Sequence, residues 1–151
     1  NGIWEKGPKN ELFEAYEREY GKKNIIAEDL GFMTDSVKEM LEKSKFPGMR
    51  VFQFAFDARD TGATNDYLPH NYIKNCVAYT GTHDNDTTKG WYEAAPEVEK
   101  DHYRRYLNVD GSNVAWDFIR LALSSSADMA IIPLQDVMAL GTEHRMVIKT
   151  I

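Results

Sequence analysis

"CVAYTGTHDNDTTKGW", residues 76–91, sets an apolar run directly against a cluster of polar side chains. Cys76, Val77, Ala78 and Tyr79 read as a buried strand, predicted over 76–82. The polar residues after it make a turn, a metal loop or a site. A calcium loop requires a Gly at its sixth position and a Glu at its twelfth, and counted from Asp84 these are Lys89 and Ala95. Structural zinc requires paired His or Cys, and His70, His83, His102 and His144 show no such spacing. Neither a metal nor another cofactor is expected. Two readings stay open: a polar turn in which Asn85, Asp86, Thr87 and Thr88 cap the next helix, and a reactive strand end carrying His83 and Asp84.

The same rhythm extends in both directions. "KNELFEAYEREYG" places Leu12, Phe13, Tyr16 and Tyr20 at helical spacing, with Asn10 as N-cap and Gly21 as stop. "NIIAEDLG", residues 24–31, reads as a buried strand ending in two carboxylates. "TDSVKEMLEKS" is a helix capped by Thr34 that buries Val37, Met40 and Leu41. "MRVFQFAF", residues 49–56, reads as a second strand and "DMAIIPLQD", residues 128–136, as a fourth, with helices over 96–107 and 113–125 between. In the last of these, Val114, Trp116, Phe118, Ile119, Leu121, Ala122 and Leu123 read as core.

Short strands alternating with helices predict parallel pairing through helical crossovers, an α/β architecture. Each predicted strand ends in polar residues: Glu28 and Asp29, then Asp57, then His83 and Asp84, then Gln135 and Asp136. C-terminal strand ends are where sites assemble in (β/α) barrels and doubly wound sheets. No Gly-rich phosphate loop follows any strand, and four strands make half a barrel. One partial barrel domain over 1–151 is expected, with no separate second domain.

Composition narrows the partners. At 151 residues and 42% hydrophobic, the chain suffices for one core. Its 24 acidic against 18 basic residues, net −6, and the absence of a basic run argue against nucleic acid. Cys76 is the single cysteine, so no internal disulfide forms, and no apolar stretch reaches membrane-spanning length. A cytoplasmic protein without nucleic-acid or membrane partners is expected. Carboxylates such as Glu28 and Asp84 on one face of a parallel sheet suit acid and base chemistry on a hydroxyl-rich, uncharged substrate, as in glycoside chemistry.

"IIAEDLG", "PGMRVFQFAF", "YLPHN", "TGTHDNDTTKGW" and "PLQDVMALGTEHRM", in that order, resemble the 4-alpha-glucanotransferases, or amylomaltases, of the alpha-amylase clan. The resemblance runs from Gly2 to Met146. It implies the C-terminal half of a (β/α)8 barrel, strands five to eight, and retaining transfer of α-1,4-glucan segments from a donor to a sugar acceptor. On the family pattern Glu28 is the general acid and base, and Asp84 is the ionised carboxylate that grips the distorted sugar, with His83 beside it on the same sugar.

The remaining site candidates each carry a second reading. Asp29 binds substrate and tunes the adjacent acid, or satisfies local backbone donors. His70 and Asn71, with Tyr67 and Pro69, form a substrate-side loop or a rigid Pro turn. Gln135 and Asp136 complete the glucan groove or brace their neighbours, and Trp91 stacks on a sugar or packs. The family's nucleophile, an Asp in an Arg-x-Asp-His context, is not among the 151 residues. The expectation is therefore a C-terminal portion of an amylomaltase, inactive by itself and prone to self-association through exposed strand edges. The competing functions are a non-catalytic glucan-binding fragment and an α-glucan hydrolase of the same clan.

Overall fold

The computed structural model describes residues 2–3, 5–31, 33–59 and 62–145. Met146, the last residue of the family-like motifs, and the segment 147–151 lie outside them. The chain divides into two compact units, Asn1–Met49 and Arg50–Ile151.

The first unit is built on two helices. Helix α1, Asn10–Tyr20, is stopped by Gly21, whose N–H donates to Glu17 O. At φ +71 Gly21 occupies the left-handed region that favours glycine. The cap position is Lys9, not Asn10 as the sequence suggested; Asn10 is inside the first turn and donates from Nδ2 to Met40 O at 3.1 Å. Helix α2, Asp35–Ser44, does follow Thr34, but that hydroxyl pairs with Ser36 Oγ at 3.1 Å and caps no backbone N–H. Neither helix contains a fully buried residue. Met40 and Leu41 are half-buried, whereas the expected burial of Val37 is not found.

The predicted strand over 24–31 is also not formed. A strand needs a ladder of bonds; Ala27 N–H does donate to Pro47 O at 2.9 Å, without strand pairing. Asp29 adds a side-chain tie, its Oδ1 accepting from Met49 N–H at 2.6 Å.

Strand β1, Gly48–Val51, begins the sheet. The expected strand through residue 56 is half as long, because helix α3, Phe52–Ala55, follows at once. The helical turn brings Phe52 and Phe56 to i, i+4 spacing, and both are completely buried. Strand β2, Cys76–Tyr79, is buried throughout. After it come helices α4, Thr88–Ala94, α5, Glu97–Leu107, and α6, Val114–Ser124. Strand β3, Met129–Ile131, is followed at Pro133 by the short helix α7, Leu134–Val137, so the fourth strand is likewise shorter than its apolar run. The sheet order is β1-β2-β3, and β2 and β3 run parallel with Val77, Ala78 and Tyr79 opposite Met129, Ala130 and Ile131.

The core of the second unit is aromatic. Phe56 is ringed by His102, Phe118, Tyr103, Tyr106 and Trp91 at centroid distances of 5.4 to 6.2 Å. Trp91 also meets Phe118 at 5.3 Å, which assigns it to packing. Tyr103 donates its hydroxyl to Asp117 Oδ2 at 2.6 Å, and burial pushes that phenol well above its ordinary pKa. Of the predicted core stripe on α6, Val114, Phe118, Ile119 and Ala122 are buried, but Trp116 is 40% and Leu123 68% exposed. These two are seven residues apart, two turns of helix, and so share the solvent face. Among the described residues no helix is long and apolar enough to cross a membrane.

Candidate active site

β2 ends at Tyr79, and the loop that follows from Thr80 is tied by its own side chains. Asn85 Oδ1 accepts from Thr82 N–H at 2.9 Å and from the Thr82 hydroxyl at 2.8 Å, while Asn85 N–H donates to Thr82 O at 3.1 Å. Asp86 Oδ2 accepts from the Thr142 hydroxyl at 2.7 Å, and its backbone carbonyl accepts from Gln53 Nε2 at 2.8 Å. Thr87 caps α4, its Oγ1 accepting from Gly90 N–H at 3.0 Å. Polar residues after the strand thus form turn and cap, the first of the two readings.

His83 and Asp84 are the exception. Their side chains are 86% and 75% exposed, with His83 Nε2 3.4 Å from Asp84 Oδ1. Arg145 Nη2 approaches Asp84 O at 3.5 Å. His83 borders a cavity of about 230 Å³ with Asn85, Asp86, Pro133, Gln135 and Arg145. Gln135 also donates from Nε2 to His144 O at 3.4 Å. The β2 end and the segment after β3 therefore come together around one cavity, as parallel neighbours should.

Glu28, in the first unit, is exposed and borders a small cavity of about 90 Å³ with Phe13, Met33, Met40 and Phe46. Its neighbour Asp29 lies against Gly48, where a Cβ would meet the carboxylate carbon at 2.7 Å, so the carboxylate occupies the space of a missing side chain.

Other predicted site residues have protein partners. His70 sits in a 3-10 turn, Pro69–Asn71. Its Nε2 is 3.1 Å from Ala63 O and its Nδ1 2.8 Å from Tyr106 Oη. A carbonyl can only accept, so Nε2 carries a proton, and in the neutral ring Nδ1 then accepts from the tyrosine hydroxyl. Asn71 Nδ2 donates to Ala63 O at 2.7 Å and Asn65 O at 2.9 Å. Both brace their loop. Asp136 is 1% exposed and accepts from Thr80 and Thr88. Asp57, one helical turn past β1, is held by Arg59, which keeps its carboxyl below the usual range.

Gln53, Thr142 and Arg145 were not among the residues the sequence singled out. Gln53 had a signal: a polar residue in the otherwise apolar "VFQFAF". Thr142 and Arg145 had none. Among the described residues no group of three or more His, Cys, Asp or Glu is placed to hold a metal ion.

The family model described as 4-alpha-glucanotransferase matches residues 1–148. The chain is 47% identical over 146 residues to the chloroplastic/amyloplastic 4-alpha-glucanotransferase of Solanum tuberosum, covering 96% of this chain and 25% of that one. It is 45% identical over 150 residues to the 4-alpha-glucanotransferase of Clostridium butyricum, covering 97% and 30%. Among solved structures, an amylomaltase from Streptococcus agalactiae in complex with acarbose superposes with a TM-score of 0.87 at 30% identity, over 98% of this chain and 30% of that one. The chain thus spans between a quarter and a third of the length of these relatives. With a family match across nearly its whole length, the chain belongs to the 4-alpha-glucanotransferase family.

Proposed function

We propose that the whole protein transfers α-1,4-glucan segments from a donor to a sugar acceptor by a retaining double displacement, acting on soluble glucan in the cytoplasm. In this reading the 151 residues correspond to the strand-five-to-eight portion of a (β/α)8 barrel within a single catalytic domain, with β1, β2 and β3 as strands six to eight. Glu28 protonates the leaving glycosidic oxygen and then takes the proton of the incoming hydroxyl. Asp84 stays ionised and accepts hydrogen bonds from sugar hydroxyls that strengthen as the ring flattens toward an oxocarbenium-like transition state. His83 and Gln135 contact the same glucan. No metal or other cofactor takes part.

The observation that carries the proposal is the exposure of the His83 and Asp84 side chains at a strand end whose other polar residues are tied down, beside a cavity that His83 and Gln135 line. Retention requires a nucleophilic carboxylate about 5 Å from the acid. The expected Arg-x-Asp-His context is not in this sequence, so the 151 residues by themselves are expected not to form the glycosyl intermediate. Incubating the whole protein with maltotriose should yield glucose and longer maltodextrins, and Glu28→Gln should abolish both. Glucose without longer products would favour hydrolysis instead, and retained turnover in Glu28→Gln would remove the acid assignment.

A second reading, a self-associating glucan-binding piece, is favoured by β3. It lies at one end of the sheet order with Met129 and Ile131 exposed. Light scattering of the 151-residue chain tests it: a well-folded monomer would count against it.

A further inference from the structure

We propose that Asp136 is a positioning residue that clamps both ends of the loop bearing His83 and Asp84. Its Oδ2 accepts from the Thr80 hydroxyl at 2.5 Å and from the Thr88 hydroxyl at 2.8 Å, while its Oδ1 accepts from Thr88 N–H at 2.7 Å. Thr80 is the first residue past β2, and Thr88 is the first residue of α4. One carboxylate therefore closes residues 81–87 into a ring anchored at its two feet. Thr80 and Thr88 are wholly buried and Asp136 nearly so.

The chemistry suits a fixed geometry. An ionised carboxylate only accepts, so each threonine hydroxyl must point its hydrogen at Asp136, and charge-assisted bonds of this kind are short and strong. A neutral amide would leave the hydroxyls free to reverse direction. Space beside the loop is also taken: a Cβ on Gly81 would meet Gln53 Nε2 at 2.8 Å, and one on Gly90, in α4, would meet Asp86 Oδ1 at 2.7 Å. With both feet held and neighbours packed against the loop, the backbone that carries His83 and Asp84 inherits a fixed position. Asp136 touches no substrate in this arrangement; it acts through the backbone that carries Asp84.

The inference rests on the proposed role of Asp84, and the test separates the two. In the whole protein, kcat and KM on maltotriose are measured for the parent, Asp136→Ala, Asp136→Asn and Thr80→Val, each normalised to folded protein by near-ultraviolet circular dichroism. Misplacing a transition-state contact lowers kcat more than it raises KM. Asp136→Ala should lose roughly 10- to 100-fold in kcat, with KM within about threefold. Asp136→Asn, which keeps an acceptor for Thr88 N–H, should recover part of that loss. Thr80→Val leaves both Thr88 bonds intact and should still lose severalfold, which decides the matter if Asp136→Ala does not fold. Unchanged kcat per folded molecule in Thr80→Val and Asp136→Asn, with only a lowered Tm, would overturn the inference and leave Asp136 a purely structural brace. A parent that moves no glucan would overturn the proposed function and this inference with it.

Discussion

Helices α1 and α6 are both eleven residues long and both amphipathic, yet they have different fates. α1, in the first unit, buries none of its residues, whereas α6, in the second, buries Val114, Ala115, Asp117, Phe118, Ile119 and Ala122. The contrast holds for the units as wholes. Among the described residues of the first unit Gly48 alone is buried, while every fully buried hydrophobic side chain belongs to residues 51–122. An apolar stripe states which face of a helix seeks cover. It does not supply the cover, and in this chain the proposed acid Glu28 stands in the thinly packed unit while Asp84 stands on the dense one.

The comparison can be broken at the aromatic hub. Phe56→Ala should destabilise the second unit by about 3–5 kcal/mol, the usual cost of emptying a ring from a close-packed site, read from denaturant unfolding. A loss below about 1 kcal/mol would mean that the core is not the close-packed one described. Tyr103→Phe should cost about 1–3 kcal/mol, because it takes from buried Asp117 one of its two hydrogen-bond donors, the other being Arg120. Phe13→Ala, which removes the edge contact to Phe46 in the first unit, should cost only about 1 kcal/mol. If Phe13→Ala matched Phe56→Ala, the two units would have to be regarded as equally packed.

The smallest effect concerns acid. His102 Nδ1 is buried without a hydrogen-bond partner among the described residues. Burial, aided by the neighbouring Arg105 and opposed by Asp101, holds its pKa below the ordinary 6.5. Because the folded state disfavours the charged ring, stability is fully present above that ordinary value and declines as pH falls through the folded-state value. His102→Phe should therefore lose less Tm than the parent between pH 7.5 and pH 5.5. An equal loss in both would locate the acid sensitivity elsewhere.

The residues explain how far sequence reading reaches. Cys76 to Tyr79, the caps after it and the turns of α5 and α6 are legible because local pattern and tertiary environment agree there. "VFQFAF" reads wrongly as continuous strand because an unbroken apolar run has no period to distinguish a strand from a buried helical turn. "NIIAEDLG" misleads because strand formation depends on a neighbour, and a neighbour is not written in the segment itself. For the site, the proposed roles of His83 and Asp84 rest on position and motif. The partners that brace His70, Asn71 and Asp136 are not legible, since they stand up to 56 positions away in sequence. Sequence spacing cannot reveal such partners.

Cys76 lies at the start of β2 with no solvent exposure, its thiol donating to Ile73 O at 3.0 Å. It is also the single sulfhydryl of the 151 residues. A maleimide or disulfide reagent can therefore reach it only when β2 comes out of the sheet. The rate of labelling, compared with that of the denatured chain, is a clock for the opening of the strand that leads into the loop bearing Asp84, and it needs no engineered probe.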